Sequence, residues 1–175
     1  MQHLSTRETY RNPWMTVRED VVRRSDGSEG IYGVVEKPDF SLVLPRDAGG
    51  FWMVEQYRYP VRRRAWEFPM GSWSGDGQGD PGALARSELA EETGLRAGTW
   101  QHLGHLMQAP GYSTQGFDVF LATGLTAGSP NREETERDMI HRFVTDAELQ
   151  DLIRRGEVVD AASLSAFTLF HLHKA

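Results

Sequence analysis

The segment from Asp80 to Leu95 constrains this chain more than any other, because it reads as a helix marked at both ends and loaded with acid on one side. Asp80 followed by Pro81 supplies an N-cap acceptor and a residue whose φ already suits the first helical turn. Gly94 fits the left-handed position just past the helix end. Between them Glu88, Glu91 and Glu92 are spaced i, i+3, i+4, so they stack over an arc of about 100°. Leu89, about 100° round from Glu88, is left for a core. Three carboxylates this close repel by roughly a few tenths of a kcal/mol per pair. A divalent cation reverses that sign, since Mg²⁺ takes carboxylate oxygens alongside substrate phosphates. Taken alone, the same spacing also describes a solvated acidic face.

The flanking sequence mixes strands and helices. Thr16–Glu36 reads as a β-hairpin turned at Ser25–Ser28, followed by strands at Phe40–Leu44 and Phe51–Gln56 and a short one at Trp66–Phe68. A glycine-rich loop, Gly71–Gly82, leads into the acidic helix. Strands follow near Trp100–Met107, Phe117–Ala122 and Ile140–Val144, with a polar loop at Thr126–Asp138. Thr145 with Glu148 forms a capping box for a helix ending at Gly156, and Asp160 starts a last helix through about His171. Strands and helices do not alternate as strict βαβ units, so the expected class is α+β with a mixed sheet between helices.

At 175 residues with 39% hydrophobic content, the chain can hold one core and a small accessory lobe. No apolar run of membrane-spanning length and no secretory leader is visible. With no cysteine there is neither disulfide nor thiolate metal site, which fits a cytoplasmic protein. A net charge of −6 argues against a nucleic-acid coat or a membrane-surface binder. To bind an anionic phosphate ester, such a chain needs a local basic pocket or divalent cations. The histidines form no ligand set: His102 and His105 fall out of register, and His171 and His173 sit at the C-terminus. Trp52, Trp66 and Trp100 read as core residues, and the run Arg62–Arg64 as a surface or dimer contact.

The string S-E-L-A-E-E-T-G-L, preceded by E-F-P-M-G, resembles the Nudix box, with Glu88, Leu89, Glu91, Glu92, Gly94 and Leu95 on its positions and Gly71 as the leading glycine. Two departures stand out. Ser87 occupies the place of the box arginine, and the loop is two residues longer, so the box glutamate falls on Gly79 and the glycine on Trp73. Asp76 or Asp80 are the carboxylates available in that loop. Losing the arginine and the glutamate together leaves no unpaired charge if the two are partners.

Nearly the whole chain is similar to the ADP-ribose pyrophosphatase-like branch of the Nudix hydrolases. Glu55-Gln56-Tyr57-Arg58 resembles its Q-Y-R strand, Trp66-Glu67-Phe68-Pro69-Met70-Gly71 its W-E-x-P-A-G entry, and Pro110 a proline associated with ADP-ribose specificity. Gly156 to Leu164 resembles its C-terminal pattern. The resemblance implies a Nudix fold with an N-terminal antiparallel β lobe (residues 1–38) that dimerises, with strand exchange, and a hydrolase domain (39–175). It implies Mg²⁺ or Mn²⁺ held by Glu88, Glu91 and Glu92 with the Met70 carbonyl, and a small nucleotide substrate contacted by Arg58, Trp66, Glu67 and Pro110. A loop glutamate, Glu134 or Glu136, is the implied base, acting with Glu92. The implied reaction is hydrolysis of a nucleoside diphosphate sugar, ADP-ribose first, to a nucleoside monophosphate and a sugar phosphate. The base is open, since neutral Ile31 and Gly33 stand where some relatives carry charge and Gln115 where many carry glutamate. A degenerate fold that binds a nucleotide sugar without cutting it is the competing expectation, resting on Ser87. A nucleoside triphosphate sanitising enzyme conflicts with the N-terminal lobe and Pro110.

Overall fold

Two sheets and three helices make up the described residues, 1–73, 79–132 and 136–173, of the computed structural model. Strands β1 (Gln2–Asn12), β2 (Met15–Arg23) and β3 (Glu29–Glu36) form a separate antiparallel sheet in that order. The hairpin expected over Thr16–Glu36 is β2 and β3, paired from Thr16↔Glu36 to Arg23↔Glu29. Strand β1 goes beyond the expectation. Its polar side chains are almost all exposed, so it has no buried face to write an alternating pattern, and only its ladder to β2 makes it a strand.

The second sheet is mixed. Its order is β10 (Ile140–Thr145), β5 (Gly50–Arg58), β4 (Phe40–Asp47), β9 (Gly116–Thr126), β8 (Arg96–Met107), with β6 (Arg63–Glu67) on β5 and β7 (Met70–Ser72) on β4. The β4–β9 pair is parallel and the other pairs are antiparallel. Helix α1 (Pro81–Thr93) covers one face, and α2 (Asp146–Arg154) with α3 (Ala161–His173) covers the other. The period-two alternation of β4 divides its side chains between the layers: Leu42 and Leu44 pack with Leu149, Ala166 and Phe170, while Val43 packs with Ala85 and Leu89. Each such Leu or Val taken fully out of water contributes roughly 1.5–3 kcal/mol. The expected α+β class and mixed sheet between helices are therefore the observed architecture. Among the described residues no helix is long and apolar enough to cross a membrane.

The sheet splays where the site lies. β4 and β5 pair only beside their turn, at Arg46↔Phe51 and Asp47↔Gly50, and then diverge. β6 stays with β5 (Val54↔Glu67), whereas β7 takes the open edge of β4 (Leu42↔Met70). The link between them is pinned by Val43 N–H to the Pro69 carbonyl (2.9 Å) and by Phe68 N–H to Ser163 Oγ (3.0 Å). This crossing carries Glu67, Met70 and Gly71 past the acidic helix.

Candidate active site

Local chemistry sets the helix and its rotation. Asp80 accepts from the Ala83 N–H (2.9 Å), and Gly94, at φ +74°, closes the far end by donating to the Ala90 carbonyl (2.9 Å). Ser41 Oγ donates to the Pro81 carbonyl (2.8 Å), fixing the helix start to β4. With Leu84, Ala85 and Leu89 buried beneath it, the helix has one rotation available, and that rotation turns Glu88 and Glu92 toward the β6–β7 crossing.

The three carboxylates meet different fates. Glu92 is only 1% exposed, and neither carboxylate oxygen has a hydrogen-bond partner among the described residues. Burial first, then the charges of Glu88, Glu136 and Glu67, holds its carboxyl well above the usual carboxylate range, against the pull of Arg58. Glu88 lies over Gly71, where an added Cβ would sit 2.4 Å from the Glu88 carboxyl carbon. Glu91 accepts from Ser87 Oγ (2.5 Å), so the serine at the position of the missing arginine has a local partner of its own. Among the described residues no three acidic or imidazole side chains converge on one point as a complete metal cage.

Arg58 and Glu67 form the second half of the site. Arg58 donates from Nε (3.0 Å) and Nη2 (2.9 Å) to the two oxygens of Glu67, a bidentate pair. Glu67 is 2% exposed, and burial raises its carboxyl above the ordinary range despite the guanidinium. Partial burial opposes the charge on Arg58, but the field of Glu67 and their hydrogen bonds prevail, with Glu92 and Asp160 adding to them. One guanidinium thus stands among four carboxylates: Glu67, Glu92, Asp160 and, through Glu92, Glu88.

The other expected residues are placed as follows. Met70 sits on β7 beside Gly71, opposite Leu42. Glu136 acts electrostatically on Glu92, which brings it into the cluster, while Glu134 and Asp76 lie outside the described residues. Trp66 is half-buried with its ring under the Arg142 guanidinium (4.5 Å), and its backbone N–H donates to the Glu157 carbonyl (2.8 Å). Pro110 is exposed on a turn that docks on β3 through Val35 N–H to the Tyr112 carbonyl (2.8 Å) and Tyr32 Oη to the Gly111 carbonyl (2.8 Å). A cavity of about 630 Å³ lies on the flank of α1 toward the N-terminal sheet, lined by Trp14, Lys37, Trp73 and Leu84, and none of the three helix glutamates reaches it. Gly79 packs under Trp73, so a side chain in place of the missing box glutamate would displace that indole.

Two contributors go beyond the sequence expectations. Asp160, expected only as a helix cap, does accept from Ser163 N–H (2.7 Å), and it also acts on Arg58 and Glu67. Arg64, expected as a surface or dimer contact, is exposed and binds Glu55 and Asp138 within the chain. The Asp160-Pro-free start of α3 is legible locally, but its approach to Arg58 depends on the packing of α3 and has no local signature.

Comparison with known proteins places this geometry among relatives. The NUDIX domain profile matches residues 36–174, and that of the nucleoside diphosphate sugar hydrolase N-terminal domain matches residues 1–35. The chain is 38% identical to the ADP-ribose pyrophosphatase of Mycobacterium tuberculosis (strain ATCC 25618 / H37Rv), over 89% of this chain and 75% of that protein. It is 32% identical to the ADP-ribose pyrophosphatase of Bacillus subtilis (strain 168), over 81% and 77% of the two chains. A solved ADP compounds hydrolase superposes with a TM-score of 0.85 at 20% identity, covering 97% of this chain and 91% of that one.

Proposed function

We propose that this chain, which belongs to the Nudix family and is a diphosphate hydrolase acting on nucleoside diphosphate sugars, takes ADP-ribose as its leading substrate and requires a divalent cation. The single observation that carries the chemistry is the buried carboxylate of Glu92, without a hydrogen-bond partner among the described residues, beside Glu88 and Arg58. The substrate assignment rests on the two ADP-ribose pyrophosphatases to which the chain is similar.

The residues fit a hard cation. Their donors are carboxylate oxygens, and Glu92 has two buried oxygens that no described residue satisfies. Mg²⁺ commonly takes one or two protein carboxylates and completes its shell with water and phosphate oxygens, so a full protein cage is not needed. Glu88 and Glu92, with Glu91 and the Met70 carbonyl, are the proposed ligands. When bound, the cation would neutralise the diphosphate and make a coordinated water more acidic. Arg58, anchored by Glu67, presents positive charge to the phosphates at the rim of an otherwise acidic cluster. Trp66 and Pro110 are proposed to line the substrate's path. Glu136 or Glu134 is the proposed base, and what supports Glu136 is its electrostatic reach to Glu92. Hydrolysis of ADP-ribose would release AMP and ribose 5-phosphate.

Metal dependence is tested by assaying hydrolysis after EDTA treatment and again after adding Mg²⁺ or Mn²⁺. Activity abolished by EDTA and restored by the cation is the expected result, and activity indifferent to both contradicts the assignment. Gly71→Ala is a second test. The atoms nearest the new Cβ are the flexible end of Glu88, so it moves that carboxylate at little cost to the fold. Its kcat should fall at least about tenfold, roughly 1.4 kcal/mol, while urea unfolding changes by less than about 1 kcal/mol.

The N-terminal lobe is proposed to make a homodimer by strand exchange. Its separate sheet leaves Tyr10, Trp14, Ile31 and Tyr32 exposed. Light scattering in line with gel filtration should return about twice the 19.8 kDa chain mass, and the single mass would overturn the proposal.

A further inference from the structure

Arg132 is a half-buried side chain whose guanidinium joins the last turn of α1 to the stretch from Met139 to His141. Its Nε donates to the backbone carbonyl of Glu92 (2.9 Å), Nη1 to the carbonyl of Met139, and Nη2 to Nδ1 of His141 (2.7 Å). The preceding residue adds a parallel contact, Asn131 N–H to the Glu91 carbonyl (2.9 Å). Both bonds to the helix land on its last turn, whose carbonyls have no partner within the helix. They belong to the two glutamates that end the acidic face. Past the loop, Met139 N–H donates to the Glu136 carbonyl (2.9 Å), so the residue that Arg132 holds at Met139 is bonded directly to Glu136. Arg64 secures the same side from β6, donating to the Asp138 carbonyl (2.9 Å) while binding Glu55 (2.7 Å).

We propose that Arg132 is a positioning residue that holds Glu136 at a fixed distance from Glu92, by bridging the last turn of the acidic helix to the stem that carries Glu136. The proposal rests on the hydrolytic reading of this site. A simple helix-end cation does not account for the geometry. Gly94 already closes α1, and a single positive charge near a helix C-terminus is a small, salt-sensitive effect. Three acceptors in three directions match the rigid, planar fork of a guanidinium and not the single ammonium of lysine. His141 is suited to its part: burial, and then Arg132 itself, keeps the imidazole below its usual range, so Nδ1 retains the lone pair that Nη2 meets. Glu92's backbone is held by the same group that holds Met139, so a shift of Arg132 changes the spacing between Glu92 and Glu136 without touching either carboxylate.

The test compares wild type, Arg132→Gln and Arg132→Lys as full chains. Hydrogen–deuterium exchange needs no catalysis. The amides of Asn131 and Met139 should exchange at least about tenfold faster in both variants, with β4 and β9 unchanged. In steady-state hydrolysis of ADP-ribose with Mg²⁺, kcat should fall about 10- to 100-fold with KM within about twofold, as expected for misplaced reacting groups. Lysine should not rescue either readout. Rescue of both by lysine would make Arg132 only a helix-end cation, and unchanged exchange in Arg132→Gln would remove the bridge itself. If wild type hydrolyses no nucleotide sugar, the hydrolytic reading fails, and the exchange comparison still decides the bridge.

Discussion

Glu92→Gln is expected to melt several degrees higher than wild type in EDTA at about pH 8, and to lose hydrolysis almost completely. The wild-type side chain is buried near other carboxylates, without a hydrogen-bond partner among the described residues. Its pKa is raised in the folded state, so the native protein keeps this proton to higher pH than the unfolded chain does. The stability from that proton is complete below the ordinary carboxylate range and is lost as pH rises through the raised value. Above it, the metal-free fold carries a buried charge that glutamine removes at nearly the same shape. Relieving a buried polar group of this kind is worth roughly 1–3 kcal/mol, which corresponds to about 2–4 °C per kcal/mol for a chain of this size. The advantage should shrink as pH is lowered toward the ordinary carboxylate range. It should also shrink when Mg²⁺ is added, because the cation stabilises wild type more than the variant. Loss of this proposed metal ligand should cost about a thousandfold in kcat, several kcal/mol of transition-state stabilisation. Thermal melts at two pH values, with EDTA and with Mg²⁺, check the first half, and steady-state rates the second. A variant that melts lower than wild type at about pH 8 in EDTA would contradict the burial argument.

Arg58→Ala is expected to damage both fold and function. It leaves Glu67, 2% exposed, with its bidentate partner gone. Breaking a fully buried pair costs roughly 3–5 kcal/mol, and because the Arg58 side chain is 43% exposed the expected loss here is nearer about 2 kcal/mol. Removing Glu67 as well should restore part of that loss, since no charge then stays buried alone. Urea unfolding of Arg58→Ala, Glu67→Gln and the double variant measures the coupling, expected at about 1–2 kcal/mol. Strictly additive effects would contradict the pairing. Activity should fall in each variant carrying Arg58→Ala, because Arg58 is the cation proposed to meet the substrate phosphates.

Local features were the ones legible in the sequence. Asp80, Pro81 and Gly94 act within a few residues of themselves, and the bounds of α1 follow from them. The turn at Gly27 and the Thr145 cap of α2 are local in the same way, although Glu148 spends its carboxylate on Arg142 and so supplies only half of the expected capping box. The acidic face was legible as spacing, but the burial of Glu92 was not. It depends on the β6–β7 crossing, which packing brings over the helix. Arg132 and Arg64 were silent for the same reason, since their acceptors at Glu92 and Asp138 are far away in sequence. His102 and His105 looked out of register, yet a bulge between His102 and Gly104 lets both reach Asp118. Ser87 read as a loss, and its contact with Glu91 becomes visible only with the side chains in place.

The most direct test of the central claim is chromatographic product analysis of purified protein with ADP-ribose and Mg²⁺, run beside Glu92→Gln and a panel of other nucleotide sugars. The account predicts AMP and ribose 5-phosphate in equal amounts from wild type and almost none from the variant. Tight binding of ADP-ribose with no turnover of any panel member would contradict it and favour a nucleotide-sugar binding module.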